Sequence, residues 1–346
     1  MNYFTNSKHE IEAGLVRNNI WEVFSLIKEP LAQVAAQISQ QAAEFDPAIE
    51  PYVSNASETH GKRIRPALAL LTAGAFGPIA PENIRIGVIL EMIHLATLVH
   101  DDNVDGADLR RDQARPEAHW VDATRVLLGD RFFTRAIEMS TRFESSYICR
   151  RVVLSVKEVC SGEIIQTQRR FDLKLKVDDY FKVIEMKPAA LFASATELGA
   201  LLAGASPQAT EAMRVYGTKL GIACQVYDDC LDLVGNEKEA GKSLRTDLKK
   251  GRLTLPLLNL LEASDSKERD RISDMILNGG EPEFDEIAQL VRSEGALHQA
   301  LETGRSLVAS AQSQLTCLPA NRYSEALDEI GHVLISRLNR FEADRG

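Results

Sequence analysis

The chain has 346 residues, long for one domain yet within reach of a single large helical one. Its 45% hydrophobic and 26% charged residues are ordinary globular values. A formal net charge of −10 excludes a broad nucleic-acid surface, because nothing here would release counterions from a phosphate backbone over a wide face.

Helical periodicity dominates from the start. Ile20, Val23, Phe24, Ile27, Leu31, Val34 and Ile38 recur at helix spacing, with Pro30 predicting a break or kink. A short apolar helix is expected over 66–75, ended by Gly77-Pro78 and Pro81, and a long one over 84–105 whose end turns abruptly acidic. Residues 106–117 read as loop. Further helices are expected at 118–142, 147–170, 178–186, 189–204, 209–234, 252–263, 284–293, 295–316 and 322–341. The segment 189–205 is so rich in Ala and Gly that it predicts a central buried helix with close neighbours. No fixed-period repeat and no low-complexity linker is present. The expectation is a single all-α domain over 1–346, a helical bundle with residues 1–45 as an N-terminal helical extension packed on it.

Five cysteines, at 149, 160, 224, 230 and 317, form no C-x-x-C pair, which predicts reduced, mostly buried thiols in the cytoplasm. The opening Met1-Asn2-Tyr3-Phe4 lacks the basic-then-apolar order of a signal peptide. The best membrane candidate, 92–99, is far shorter than the ~20 residues a span requires, so a soluble protein is expected.

Two acidic motifs carry the chemistry: Asp101-Asp102-Asn103-Val104-Asp105 and Asp228-Asp229-Cys230-Leu231-Asp232. On a helix, residues four apart share a face, so Asp101 pairs with Asp105 and Asp228 with Asp232. Magnesium binds hard oxygens through one or two carboxylates, keeping waters and substrate phosphate oxygens. With acids at 50 of 346 positions, one such motif could arise by chance. Both interrupt apolar helices, however, where clustered carboxylates repel unless cations neutralise them. Asp102 and Asp229 lie one residue round and are expected to support the others. Basic residues gather at Lys62-Arg63-Ile64-Arg65, Arg110-Arg111, Lys187 and Lys242, with Lys249-Lys250 beyond. They suggest two anion pockets, one bridged by metal and one held directly by Lys and Arg.

These features resemble the trans-type isoprenyl diphosphate synthases, or polyprenyl synthetases, over roughly residues 50 to 335. The likeness rests on His60-Gly61-Lys62-Arg63-Ile64-Arg65-Pro66 and Glu91-Met92-Ile93-His94, with Leu98-Val99-His100 leading into the first motif and Asp108-Leu109-Arg110-Arg111 after it. Trp120, Gly129-Asp130, Gln225-Val226-Tyr227 before the second motif, and 241–256 complete it. The resemblance implies an isoprenoid synthase-like bundle with a central cavity and a magnesium-dependent prenyltransferase that lengthens an allylic diphosphate with isopentenyl diphosphate. It implies that Asp101, Asp105 and Asp228 ligate several Mg²⁺ ions bridging the allylic diphosphate, with Asp102, Asp229 and Asp232 supporting; Asp232 shares the ligand face with Asp228. Arg110, Lys187, Gln225 and Lys242 would contact that diphosphate, and Lys62, Arg65, His94 and Arg111 the diphosphate of isopentenyl diphosphate. A homodimer is the family expectation.

Two departures stand out. Pro188 replaces the family's Thr after Lys187, removing a hydroxyl and an N–H, and is expected at the first position of the following helix. Asp112-Gln113-Ala114-Arg115 replaces a Gly-x-Pro-Thr loop. Product length in the family depends on bulk just before the first motif. Here Ala96 and Thr97 are small and Ile93, Met92 and Ile89 follow without an aromatic, which predicts a product longer than farnesyl, with Phe132 and Phe133 as candidate floor residues. A class I terpene cyclase would mix Asn, Ser and Glu in its second motif. A non-catalytic partner subunit would lose the acids, and this chain keeps both sets.

Overall fold

The computed structural model describes residues 19–43, 63–104, 122–236 and 243–343, and these contain helices and no strand. Helix α1 (Asn19–Ser25) buries Val23 and helix α2 (Lys28–Ala43) buries Val34 and Ile38, with Ile27 buried in the turn between them, all periodic positions of the sequence. The break between them falls before Pro30, which sits in the first turn of α2. An N–H there would lack an intrahelical acceptor, so proline costs little.

Helix α3 (Ile64–Phe76) is buried along Ile64 to Ala75. Helix α4 (Pro81–Val104) begins where Asn83 Oδ1 accepts the Ala80 N–H at 2.9 Å. Among the described residues, its Pro81–Asp101 stretch is the one helix long and apolar enough to cross a membrane, at a mean hydropathy of 1.2. This exceeds the short run that the sequence suggested; 67% of its most apolar window is buried within the bundle, against α2, α3, α5 and α8. Helices α5 (Asp122–Ser140) and α6 (Ser146–Gln168) follow, then α7 (Val177–Ile184) and α8 (Ala190–Leu202).

Pro188 does not begin α8. It lies inside a π-helical turn, Glu185–Ala189, that fuses α7 to α8. A proline inside a helix lacks the N–H for the i−4 carbonyl and its ring collides with that carbonyl, and a widened turn accommodates both defects.

Helix α9 (Pro207–Val234) is capped by Ser206, whose hydroxyl accepts the Ala209 N–H at 3.2 Å. Helix α8 is the centre of the bundle, buried from Ala190 to Ala200 and packed on α3, α4, α6 and α9. Small residues set its spacing. A Cβ on Gly199 would stand 2.5 Å from the Ala69 carbonyl oxygen of α3, and one on Gly217 of α9 would stand 2.5 Å from the Phe192 carbonyl oxygen.

The remaining elements are α10 (Thr246–Lys249), α11 (Leu255–Ala263), α12 (Ser266–Asn278), α13 (Glu281–Ser293), α14 (Ala296–Gln312), a 3₁₀ turn at Ser313–Cys317, and α15 (Arg322–Ala343). Helix α12 is absent from the sequence expectations. Only Ile272, Met275 and Ile276 of its residues are buried, so its periodicity is faint, although Asp265 caps it by accepting the Glu268 N–H at 2.9 Å. Tyr216 ties α9 to α15 by donating to the Leu327 carbonyl at 2.8 Å. The cysteines are free: Cys224 and Cys230 buried, Cys149 and Cys160 half-buried, Cys317 exposed.

Two buried acids are compensated differently. Glu197, within α8, pairs with Arg151 at 2.8 Å and accepts from the Tyr147 hydroxyl. Glu91, on α4, has an Oε2 with no hydrogen-bond partner; burial lifts its carboxyl to about 7, against the pull of Arg65 and then Arg63.

Gly217→Ala forces α8 and α9 apart and should cost about 1–3 kcal/mol, read as a lower urea midpoint; an unchanged midpoint contradicts the close-approach account. The folded chain keeps a proton on Glu91 that the unfolded chain loses near its ordinary value of 4.5. Stability from this group is therefore full below pH 4.5 and is lost as pH rises through about 7. Glu91→Gln should leave stability at pH 4.5 nearly unchanged and raise it at pH 8 by up to about 3 kcal/mol. Denaturation curves displaced equally at both pH values would exclude the buried-carboxyl explanation.

Candidate active site

The first acidic motif closes α4. Asp101 is turned inward, its side chain 15% exposed, and its Oδ2 lies 3.0 Å from Lys187 Nζ in the π turn. The same ammonium contacts the Glu163 carboxylate of α6 and donates to Gln166 Oε1 at 3.3 Å. Burial raises the Asp101 carboxyl to about 6; Lys187 opposes the shift and Glu163 adds to it. Glu163 moves the other way: burial opposes its charge, but Lys187, a hydrogen bond from Asp101 and the charge of Arg252 outweigh burial. Glu163 is thus the more readily ionised of the two acids. The Asp102 side chain, and all of Lys62, Asp105, Arg110, Arg111, Trp120 and Lys242, lie outside the described residues.

The second motif ends α9, and its three acids differ in their surroundings. Asp229 accepts from the Tyr180 hydroxyl at 2.6 Å and from Gln225 Nε2 at 2.7 Å. Burial nonetheless pushes its carboxyl well above the usual range, with the Asp247 charge adding to the shift. Asp232 accepts from Thr246 Oγ1 at 2.9 Å and from the Asp247 N–H at 3.0 Å, which fastens the start of α10 to the end of α9. Asp228 is 7% exposed.

Arg65 and His94 come from α3 and α4. Arg65 is 4% exposed, with its guanidinium carbon 5.3 Å from the centre of the Phe192 ring on α8. His94 is half-buried, and its carbonyl accepts the Thr97 hydroxyl at 2.7 Å. Cys224 links Arg65 to the second motif: burial drives its thiol upward, the Asp228 charge adds to that, and Arg65 and Arg337 oppose it. Arg65 and Asp228 therefore act on one thiol from two different helices. Arg252, half-buried beyond the second motif, likewise acts by its charge on Glu163, which lies beside the first.

The proposed chain-length residues divide. Ala96 and Ile93 are fully buried, whereas Thr97 is half-buried. Phe132 and Phe133 are buried on α5, and the Phe133 ring meets His100 at 5.4 Å between centroids. Gly129 leaves room for that imidazole, since a Cβ there would overlap it, and His100 Nε2 lies 3.0 Å from the Val126 carbonyl.

Sequence reasoning assigned no role to Glu163, Gln166, Tyr180 or Arg252. Glu163 and Gln166 sit three apart on α6, but nothing in their own segment reveals a lysine arriving from another helix. Among the described residues no three His, Cys, Asp or Glu side chains converge into a ready-made metal cage. The donor set suits magnesium all the same, because that ion needs only one or two carboxylates beside water and phosphate oxygens. Asp101 and Asp228 are such donors, each drawn largely out of solvent.

The polyprenyl synthetase family model matches residues 46–293. The octaprenyl diphosphate synthase of Escherichia coli is 31% identical over 92% of this chain and 99% of its own length. A short chain isoprenyl diphosphate synthase of Methanothermobacter thermautotrophicus is 32% identical over 80% of this chain and 86% of its own. The crystal structure of a polyprenyl synthase from Caulobacter crescentus, complexed with calcium and isoprenyl diphosphate, superposes with a TM-score of 0.84 at 32% identity, covering 91% of this chain and 96% of that one. The family match spans both acidic motifs, the Lys187 turn and the Arg65 pocket: this chain belongs to the polyprenyl synthetase family.

Proposed function

We propose that the protein is a trans-polyprenyl diphosphate synthase that joins isopentenyl diphosphate to an allylic prenyl diphosphate and makes a linear product longer than farnesyl. The observation that carries this reading is the buried Asp101 carboxylate facing the Lys187 ammonium at 3.0 Å, at the end of an apolar helix. An acid and a base that meet in this way, beside a second acidic motif, suit a group with many anionic oxygens and its counter-ions.

Asp101, Asp105 and Asp228 are the proposed magnesium ligands, with Asp102 and Asp229 in support, while Asp232 is held by Thr246 and the Asp247 N–H. Bound magnesium would neutralise the leaving diphosphate and so ease departure of the allylic carbon. Lys187 adds fixed positive charge where that diphosphate gains its negative charge, and Lys242, Arg110 and Gln225 contact the same group. Gln225 is held in place through its bond to Asp229. Arg65, His94, Lys62 and Arg111 hold the second diphosphate, which sets the isopentenyl double bond against the allylic carbon. The apolar walls of α4 and α8 keep water from the cation formed there. No side chain of this set is required as a base, since the released diphosphate can take the proton.

The free thiols fit a reducing compartment such as the cytoplasm. A homodimer is supported by apolar side chains exposed on the adjacent α5 and α6, namely Val126, Leu127, Tyr147, Val153, Leu154 and Ile164.

Purified protein with Mg²⁺, farnesyl diphosphate and isopentenyl diphosphate should yield lengthened linear diphosphates, and Asp101→Ala or Asp228→Ala should cut turnover by about 10²-fold or more. Cyclic hydrocarbon without isopentenyl uptake, or no turnover at all, rejects the assignment. Thr97→Phe, and Ala96→Phe at its fully buried neighbour, should shift the product to shorter chains on thin-layer chromatography. An unaltered product pattern for both variants removes these positions from chain-length control.

A further inference from the structure

Lys187 reaches Asp101 from a cradle on α6. Its residues lie within Ser161-Gly162-Glu163-Ile164-Ile165-Gln166, which the proposed function leaves without a role. Gly162 lets the π turn approach: a Cβ added there would stand 3.2 Å from Lys187 N and 3.2 Å from Lys187 Cβ. On either side of that contact, the Glu163 carboxylate and the Gln166 amide oxygen both meet the lysine ammonium.

An ammonium has three N–H donors and no acceptor. Gln166 Oε1 accepts a hydrogen bond from the Lys187 ammonium, and the carboxylates of Glu163 and Asp101 meet it as ion pairs, so two partners come from α6 and one from the acidic motif of α4. A lysine side chain otherwise carries rotamer freedom that a substrate would have to freeze. Here the freezing is done in advance, at a site where Lys187 is only 16% exposed.

We infer that Glu163 and Gln166 are positioning residues for Lys187: they hold two of its N–H groups and leave the third, taken by Asp101 in the free enzyme, to be presented to the allylic diphosphate. With Asp101 serving as a magnesium ligand, the third donor would be free for the diphosphate while Glu163 and Gln166 keep the other two fixed. Glu163 suits the holding role because its carboxylate meets the Lys187 ammonium directly from α6. The inference rests on the reading that Lys187 contacts the allylic diphosphate, and the test separates the two.

Steady-state kinetics on the full chain with farnesyl and isopentenyl diphosphates would compare wild type, Glu163→Gln, Gln166→Ala, Lys187→Met and the Glu163→Gln/Lys187→Met double variant. Calorimetry of inorganic diphosphate in buffer containing Mg²⁺ supplies a second readout. Glu163→Gln should raise the allylic KM and the diphosphate Kd about tenfold, the scale of one charge-assisted hydrogen bond. It should leave the isopentenyl KM and the half-saturating Mg²⁺ concentration within about twofold. Gln166→Ala should give a smaller change in the same direction, and the double variant should be no worse than Lys187→Met alone. Multiplying losses in the double variant, or equal rises in both KM values, would overturn the positioning role while leaving Lys187 in place. A shift in Mg²⁺ requirement with the allylic KM unchanged would also overturn it. If Lys187→Met itself spares both the allylic KM and the diphosphate Kd, the underlying assignment of Lys187 fails first.

Discussion

The contact between the Lys187 ammonium and the carboxylates of Asp101 and Glu163 joins three elements at one point: the end of α4, the middle of α6 and the π turn before α8. It forms only because α8 is packed so tightly. Gly199 and Gly217 remove the side chains that would hold α3, α8 and α9 apart, and Gly162 does the same where α6 meets the turn. Close packing by small residues thus brings a lysine to the mouth of an apolar helix where two acids wait. A half-buried ion pair of this kind adds little net stability, because desolvation consumes most of the attraction.

The acids of the second motif show how a repeated pattern is divided between structure and chemistry. Asp232 spends both carboxylate oxygens on Thr246 and the Asp247 N–H, so it shapes the turn after α9. Asp229 is held between Tyr180 and Gln225, so it fixes the Gln225 amide. Asp228 lies within electrostatic reach of Cys224, as does Arg65. The charges of the two motifs also overlap, since Arg252 beyond the second acts on Glu163 beside the first. Each acid is costly to bury alone, and the fold lowers the cost by giving nearly every one a donor or a cation.

Much of this was legible in the sequence because the signals were strong. The apolar runs before both motifs predict α4 and α9, and the Ala- and Gly-rich run predicts the buried α8. The Asp spacing and the order of basic clusters point to two diphosphates. The rest depended on contacts distant along the chain. Helix α12 buries too few apolar residues to show its period. Pro30 and Pro188 read as helix breaks or starts, yet each sits inside a helical turn that tolerates it, one because the turn lacks acceptors and the other because it widens. Glu163, Gln166 and Arg252 resemble ordinary surface residues until Lys187 arrives beside the first two. Burial of Ala96 and Ile93 beside a half-buried Thr97 is likewise a tertiary fact that helix spacing could not supply.

The account centres on Asp101 as an acid kept for a metal-bridged diphosphate. The most direct measurement is calorimetric titration of farnesyl thiodiphosphate, which cannot readily turn over, into wild type and Asp101→Asn with and without Mg²⁺. The account predicts wild-type binding that tightens by at least about tenfold on adding Mg²⁺, and that Asp101→Asn loses this gain, as expected when a hard-oxygen ligand is removed. Equal affinity with and without the ion, or an undiminished gain in Asp101→Asn, would contradict it.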